Sequence, residues 1–207
     1  NAGKGLYYYL SIEEIVERHG RPEEKAVMYN NMGKQYATLN DYPRALEYFT
    51  KAELQCKFIT CDYIQVVYAN IGIALHNTGN TKGGIDYLLK ARRLLETQKD
   101  WASMANLEHL MAGVYFSDRD VYNALTHNNE AIRYANETHQ IDVLTNAYRT
   151  AADIYYQLYD FEKAFDYYKK YLILNDSIRL QEQVRQQNIE QQRTLLSAAE
   201  GQIKYLI

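Results

Sequence analysis

Apolar and polar positions recur along most of this chain with the period of an α-helix. The clearest stretch carries Tyr29, Met32, Gly33 and Tyr36, then the polar pair Asn40 and Asp41, then Ala45, Phe49 and Ala52. The first four lie on one face of a 3.6-residue helix, and the last three lie on one face of a second helix. The spacing therefore predicts a helix hairpin. A small residue on each arm, Gly33 or Ala45, allows the two helices to approach closely.

The same hairpin pattern occurs four times. The small residue of the first helix falls at Gly33, Gly72, Ala112 and Ala152, and that of the second helix falls at Ala45, Gly84, Ala124 and Ala164. The first series advances by 39, 40 and 40 residues, and each second small residue follows its partner by twelve. Because one hairpin cannot hide its own apolar face, we expect the four units to stack into a single array.

This pattern resembles the tetratricopeptide repeat, whose motif places an aromatic residue, a leucine, a glycine and a tyrosine before an alanine and a phenylalanine. The matching residues are Tyr29, Met32, Gly33, Tyr36, Ala45 and Phe49 in the first unit, Tyr68, Ile71, Gly72, Leu75, Gly84 and Leu88 in the second, and Tyr148, Ala151, Ala152, Tyr155, Ala164 and Tyr168 in the fourth. The third unit keeps Met111, Ala112, Tyr115, Ala124 and Ala131. It has Glu108 and Asn128 at the two aromatic positions. The resemblance implies an all-α fold, a right-handed superhelix of antiparallel helix hairpins.

Two departures from the standard repeat predict longer helices. The period is about 40 residues instead of 34, and no proline closes a unit. Extended repeats of this length are similar to those of kinesin light chains and of bacterial aspartyl-phosphate phosphatase regulators.

The repeats divide the chain into three parts. Residues 5–20 are expected to form the second helix of an incomplete earlier repeat, and residues 22–175 the four repeats. Residues 176–207 are expected to begin as a capping helix, with Ile178 and Leu180 over the last hairpin, and to run into a glutamine-rich connector. A capping helix that simply ends is the alternative. This tail resembles the exit of the repeat region in bacterial sensor histidine kinases and transcriptional regulators of tetratricopeptide type.

A short apolar series near the end of the chain suggests a further role for this tail. Leu196, Ala199 and Ile203 have the spacing of a coiled-coil seam. Dimerisation through the C-terminal helix is therefore a candidate.

Composition and motifs argue against several classes of function. The net charge of −3 provides no basic field for nucleic acid, and no apolar run is long enough for a membrane span. The five histidines form no recognised metal-ligand or catalytic spacing, so we expect no catalysis, no metal and no cofactor. Cys56 and Cys61 are expected to stay free as small apolar packers. The compartment stays open between the cytoplasm and the periplasmic part of a membrane-anchored regulator.

The first helices of such a superhelix line its inner wall. The faces of these helices that point away from their packing partners are therefore expected to form a groove for a protein or an extended peptide. Asn31 and Asn70 occupy equivalent places, and the resemblance implies that they form a ladder that holds a peptide backbone. The alternative is that these asparagines only bond neighbouring helices or water. The predicted groove residues are Asn31, Lys34, Asn70, Ile73, His76, His109, Phe116, Arg149, Asp153 and Tyr156.

Two functions fit this prediction. The first is a peptide-binding input region of a larger bacterial signalling or transcriptional regulator. The alternative is a soluble cytoplasmic adapter that binds and sequesters a partner protein.

Overall fold

In the computed structural model, the backbone is described for residues 2–204 and the side chains for residues 5–196. Within this range the chain forms nine α-helices and no strand. They are α1 (Ala2–His19), α2 (Pro22–Thr38), α3 (Tyr42–Cys56), α4 (Ile64–Asn77), α5 (Thr81–Gln98), α6 (Trp101–Ser117), α7 (Val121–Glu137), α8 (Ile141–Gln157) and α9 (Phe161–Lys204). The helices α2 to α9 form four stacked hairpins, and α1 packs against α2. The all-α fold of stacked antiparallel hairpins is as predicted.

The turns inside the four hairpins share one pattern, and the first lies at the predicted polar pair Asn40 and Asp41. A residue in the left-handed region ends each first helix, at Asn40, Gly79, Arg119 and Tyr159. The next residue is Asp41, Asn80, Asp120 or Asp160, and its side chain accepts a hydrogen bond from a backbone N–H in the following helix. An N-cap of this kind satisfies one of the backbone donors that a helix start leaves unpaired.

The small residues lie at the helix crossings inside the hairpins. A Cβ added at Gly33 would lie 2.5 Å from the Phe49 ring, and one added at Gly84 would lie 2.6 Å from the carbonyl oxygen of Gly72. Ala45 and Ala112 are fully buried. The crossings are therefore as close as the sequence predicts, and the aromatic rings pack around them.

Two tyrosines and a lysine hold three of the four hairpins together in the same way. The lysine ammonium lies over both rings, and the triads are Tyr29, Tyr48 and Lys51; Tyr68, Tyr87 and Lys90; and Tyr148, Tyr167 and Lys170. Such cation–π contacts join a charge at the surface to the aromatic core of the hairpin.

The third hairpin replaces this triad with a buried carboxylate, Glu108, which pairs with Arg92 and contacts His127. Glu108 and His127 stand at the positions of the two tyrosines, and their side chains meet at 2.6 Å. Arg92 of the preceding hairpin donates to the other Glu108 oxygen at 2.7 Å. The Glu108 side chain is fully buried. Burial opposes its ionisation, but the His127 hydrogen bond and the Arg92 charge outweigh that cost, so the pKa of Glu108 is lowered.

The array curves with the first helices on the inside. The backbones of consecutive first helices approach each other, α2 against α4, α4 against α6 and α6 against α8. Over the described residues, no second helix of a hairpin brings its backbone against the next second helix. The long side chains of Tyr87 and Glu53 span the wider outer gap with a 3.2 Å hydrogen bond. The inner wall is therefore the concave side, as predicted.

The chain departs from the prediction in the loop between α3 and α4. Cys56 and Cys61 form a disulfide there, with Cα atoms 5.2 Å apart, so the expectation of free cysteines is wrong. This connection is longer than the others, and the disulfide closes it on the last residue of α3.

The last helix of the fourth hairpin continues without a break to residue 204. The expected start of a capping segment at residue 176 lies inside this helix, so the three-part division of the chain stays a prediction. Ile178 is half-buried, but Leu180 is 61% exposed. The expected seam at Leu196, Ala199 and Ile203 lies largely outside the described side chains. None of the described helices is long and apolar enough to cross a bilayer.

Candidate functional site

A cavity of about 370 Å³ lies on the concave side between α2, α4 and α6. We call it the inner groove. Its lining residues are Lys34, Gln65, Val66, Ala69, Asn70, Leu95, Ser103, Asn106, Leu107 and Leu110. The apolar part of this surface includes Val66 and Leu110, which are 40% and 37% exposed. The polar part combines carboxamide groups with one exposed ammonium group, that of Lys34.

One polar atom of the wall lacks a partner. Gln65 is 8% exposed, and its Nε2 donates to the carbonyl oxygen of Asp62 at 3.2 Å. Its Oε1 has no hydrogen-bond partner among the described residues. A buried acceptor left unpaired costs free energy, so this carboxamide is a locally unfavourable feature of the wall.

The inner wall is joined by short polar contacts between side chains about one repeat apart. Asn70 donates to Asn30 Oδ1 at 2.9 Å, and the ring nitrogens of His76 and His109 lie 2.7 Å and 3.2 Å from the hydroxyl groups of Ser117 and Thr150. Because the first helices are close together, these side chains meet directly across the gap between them. Each of these contacts fixes one first helix relative to the next.

These contacts occupy part of the predicted binding surface. His76 also lies 3.0 Å from the Thr81 hydroxyl, so both of its ring nitrogens are engaged. Burial lowers the pKa of His109, and the nearby Arg149 charge acts in the same direction. The hydrogen bond from Asn70 to Asn30 is a bond to a neighbouring helix, which is the alternative stated above for the asparagines.

The structure brings only some of the predicted groove residues together. Lys34 and Asn70 line the inner groove, whereas Asn31 is half-buried outside its lining. Ile73 is half-buried and packs against the second core cluster, which includes Leu88 and Met111, so part of its side chain is used in packing. Phe116 is half-buried and Arg149 is exposed. The assignment of these ten residues to one binding surface stays a prediction.

The remaining predicted residues, Asp153 and Tyr156, lie in a different hollow at the C-terminal end of the array. We call this hollow, of about 320 Å³, the C-terminal cradle. It is formed by Ala152, Asp153 and Tyr156 of α8 and by Phe161, Ala164, Phe165 and Tyr168 of α9.

The ten predicted groove residues leave out several residues that line the inner groove. Val66, Asn106 and Leu110 face the concave side in a helical projection, and that signal was available in the sequence. Gln65 and Ser103 lie nearer the edge of each helix, and they reach the groove because α4 and α6 approach each other. Nothing in the local sequence reveals that approach. Within the described part of the chain, no group of three or more His, Cys, Asp or Glu side chains is placed to hold a metal ion.

Comparisons with known proteins identify the fold. No protein-family model and no curated protein sequence matches the chain. Solved structures do: BtubC from P. vanneervenii has 15% identity and a TM-score of 0.72, over 86% of this chain and 74% of that one. PlcR from Bacillus thuringiensis, in complex with the peptide PapR7 and DNA, has 18% identity and a TM-score of 0.71, over 86% of this chain and 67% of that one.

NprR in complex with its cognate peptide NprX is also similar, with 18% identity and a TM-score of 0.67. The match covers 84% of this chain and 50% of NprR. The chain thus spans half to three quarters of the length of these three proteins. At these identities the likeness concerns the fold, and it agrees with the stacked hairpins and their close crossings. The chain therefore has a helical repeat fold of the tetratricopeptide-repeat type.

Proposed function

We propose that this chain is a binding module that holds an extended peptide, or an extended segment of a protein, in the inner groove. The observation that carries the proposal is the composition of that groove. It combines an exposed apolar surface at Val66 and Leu110 with the carboxamides of Asn70 and Asn106. A peptide presents the complementary set, apolar side chains together with backbone N–H and C=O groups.

The size of the groove supports a peptide ligand. Its volume of about 370 Å³ is at the lower end of the range for small-ligand pockets, so it fits a few anchoring side chains. Asn70 and Asn106 lie on neighbouring first helices at the wall, and each can offer a donor and an acceptor to a backbone. The Lys34 ammonium favours an acidic group at one end of the bound segment. The peptides bound by PlcR and NprR support the same reading by analogy.

Peptide binding should depend on Leu110 and be insensitive to a matched leucine elsewhere. A peptide selected from a random display library on the intact chain serves as the probe, and its affinity is measured by fluorescence anisotropy. Leu110→Glu places a charge on the apolar surface and should weaken binding by about a hundredfold. Leu54→Glu, on α3 at 49% exposure, should leave the affinity unchanged.

The proposal fails if the library yields no peptide that binds, or if Leu110→Glu and Leu54→Glu have equal effects. Both side chains are partly exposed, so both variants should fold, and circular dichroism checks this.

We further propose that the module is the input region of a larger regulator, with α9 as the connecting element. The helix begins as the second arm of the fourth hairpin and continues for 44 residues. Most described side chains from residue 176 onward are exposed, so this part is a rod that leaves the array. A ligand that favours one stacking of the repeats would shift the direction of that rod.

Amide hydrogen exchange separates this role from that of a sequestering adapter. Peptide binding should change the exchange rates of residues 176–196 by at least about threefold, because the packing at the base of the rod changes with the array. Unchanged exchange in this segment, with protection confined to the groove, would favour the adapter.

A further inference from the structure

Within the described part of the chain, the last hairpin presents an apolar face of α9 that no other helix covers. Phe161, Phe165, Tyr168 and Leu172 are 56%, 68%, 48% and 41% exposed. They are spaced by four, three and four residues, which is the spacing of a helix-pairing seam. Four large apolar side chains on one stripe are more than the scattered exposed residues that a soluble surface normally carries.

The earlier hairpins show what normally covers this face. One repeat before the seam, α7 carries Val121, Leu125, Asn128 and Ile132. There Asn128 is fully buried and the other three are half-buried, because α8 packs across them. Asn128 donates to the carbonyl oxygen of Ala147 in α8. The helix that covers this face runs antiparallel to the one beneath it, as every following helix does in this array.

The structure points to a second copy of this chain as the occupant of the C-terminal cradle. In a two-fold dimer, α9 of each copy lies antiparallel to α9 of the other, which is the direction that the cradle accepts. With the axis between Phe165 and Tyr168, Phe165 of one copy packs beside Tyr168 of the other, and Phe161 packs beside Leu172. Each α9 thus takes the place of the first helix of a fifth hairpin.

The charges beside the seam are self-complementary in this arrangement. Glu162 and Lys169 are exposed, and each follows a seam residue by one position. The same axis places Glu162 of one copy against Lys169 of the other, twice per dimer. In a parallel pair, by contrast, each seam residue would face its own counterpart, and these two charges would not meet. Charge pairs at such flanking positions select helix orientation.

Sedimentation equilibrium of the intact chain tests the proposal. We expect twice the chain mass of 24.2 kDa at micromolar concentration. Phe165→Glu should raise the dissociation constant at least about a hundredfold, since it buries two charges at the centre of the seam. Tyr122→Glu, at an 81% exposed aromatic residue of α7, should have no effect. Because Phe165 is itself exposed, the variant should keep the helical content of the parent.

Charge exchange tests the orientation. Lys169→Glu should raise the dissociation constant about tenfold, and adding Glu162→Lys should restore it. A spin label on the cysteine of Leu195→Cys gives a second, independent measurement of the helix orientation. In the antiparallel dimer the two labels lie roughly 85 Å apart along the helix axis, at 1.5 Å per residue, so no short-range coupling is expected.

A monomer at every concentration would overturn the proposal. So would a dimer that tolerates Phe165→Glu, a charge exchange that does not restore affinity, or coupling at short range between labels at position 195. The last result would show a parallel pairing through the distal part of α9.

Discussion

Gly84→Ala is expected to destabilise the protein by about 2 kcal/mol, within the range of roughly 1–3 kcal/mol that extra volume in a packed crossing usually costs. The added Cβ would lie 2.6 Å from the carbonyl oxygen of Gly72. That neighbour is backbone inside a helix, so the second hairpin must open to accommodate the methyl group. The gain in helix propensity, about 1 kcal/mol, is too small to offset this.

The matched control is the same substitution at Gly113. This glycine lies inside α6 on the concave side, and an added Cβ meets nothing within 4 Å. Gly113→Ala should therefore raise the free energy of unfolding by about 0.5–1 kcal/mol, through helix propensity alone. Urea denaturation measures both variants. Equal midpoints for Gly84→Ala and Gly113→Ala would show that the crossing does not hold the hairpin together.

Glu108→Leu should be among the most damaging single substitutions, with a loss of about 3 kcal/mol at pH 7. The leucine fills a similar volume but leaves the half-buried side chains of His127 and Arg92 without their carboxylate partner. Glu96→Leu is the control. Glu96 also lies near Arg92, at 3.7 Å, but it is 47% exposed, so its removal should cost at most about 0.5 kcal/mol.

The same carboxylate predicts a pH dependence. The pKa of Glu108 is lowered in the folded protein, so its contribution is fully present above the unfolded carboxyl pKa of about 4.3. The contribution is lost as the pH falls from there through the lowered folded value. The urea midpoints of the parent protein and of Glu108→Leu should therefore differ at pH 7 and lie closer together at pH 3.5. A constant difference at both pH values would mean that Glu108 acts by packing alone.

Much of the fold could be predicted because the residues of each repeat determine the geometry of its own hairpin. The small residues mark the crossings, and Asn40, Asn80 and Asp120 mark the turns and caps. The contact between the buried Glu108 carboxylate and His127 was missed although the sequence contains its signal. Glu108 departs from the repeat at one aromatic position, and His127 departs at the tyrosine position of the second helix in the same hairpin. Read together, the two exchanges indicate a pair.

The site was harder to predict than the fold. A helical projection gives the direction of a side chain but not its distance from the next helix. It therefore could not show that His76 and His109 bond to hydroxyl groups one repeat away, or that Ile73 packs against the core. The disulfide between Cys56 and Cys61 depends on the path of an irregular loop, which has no periodic signal.

Hydrogen exchange along the whole chain, with and without a bound selected peptide, tests the central claim most directly. The account predicts that the largest protection falls in the segments of α4 and α6 that line the inner groove, residues 65–70 and 106–110. The outer helices α3, α5 and α7 should show little change. Protection concentrated on those outer helices, with the groove segments unaffected, would contradict the claim that the concave wall is the binding surface.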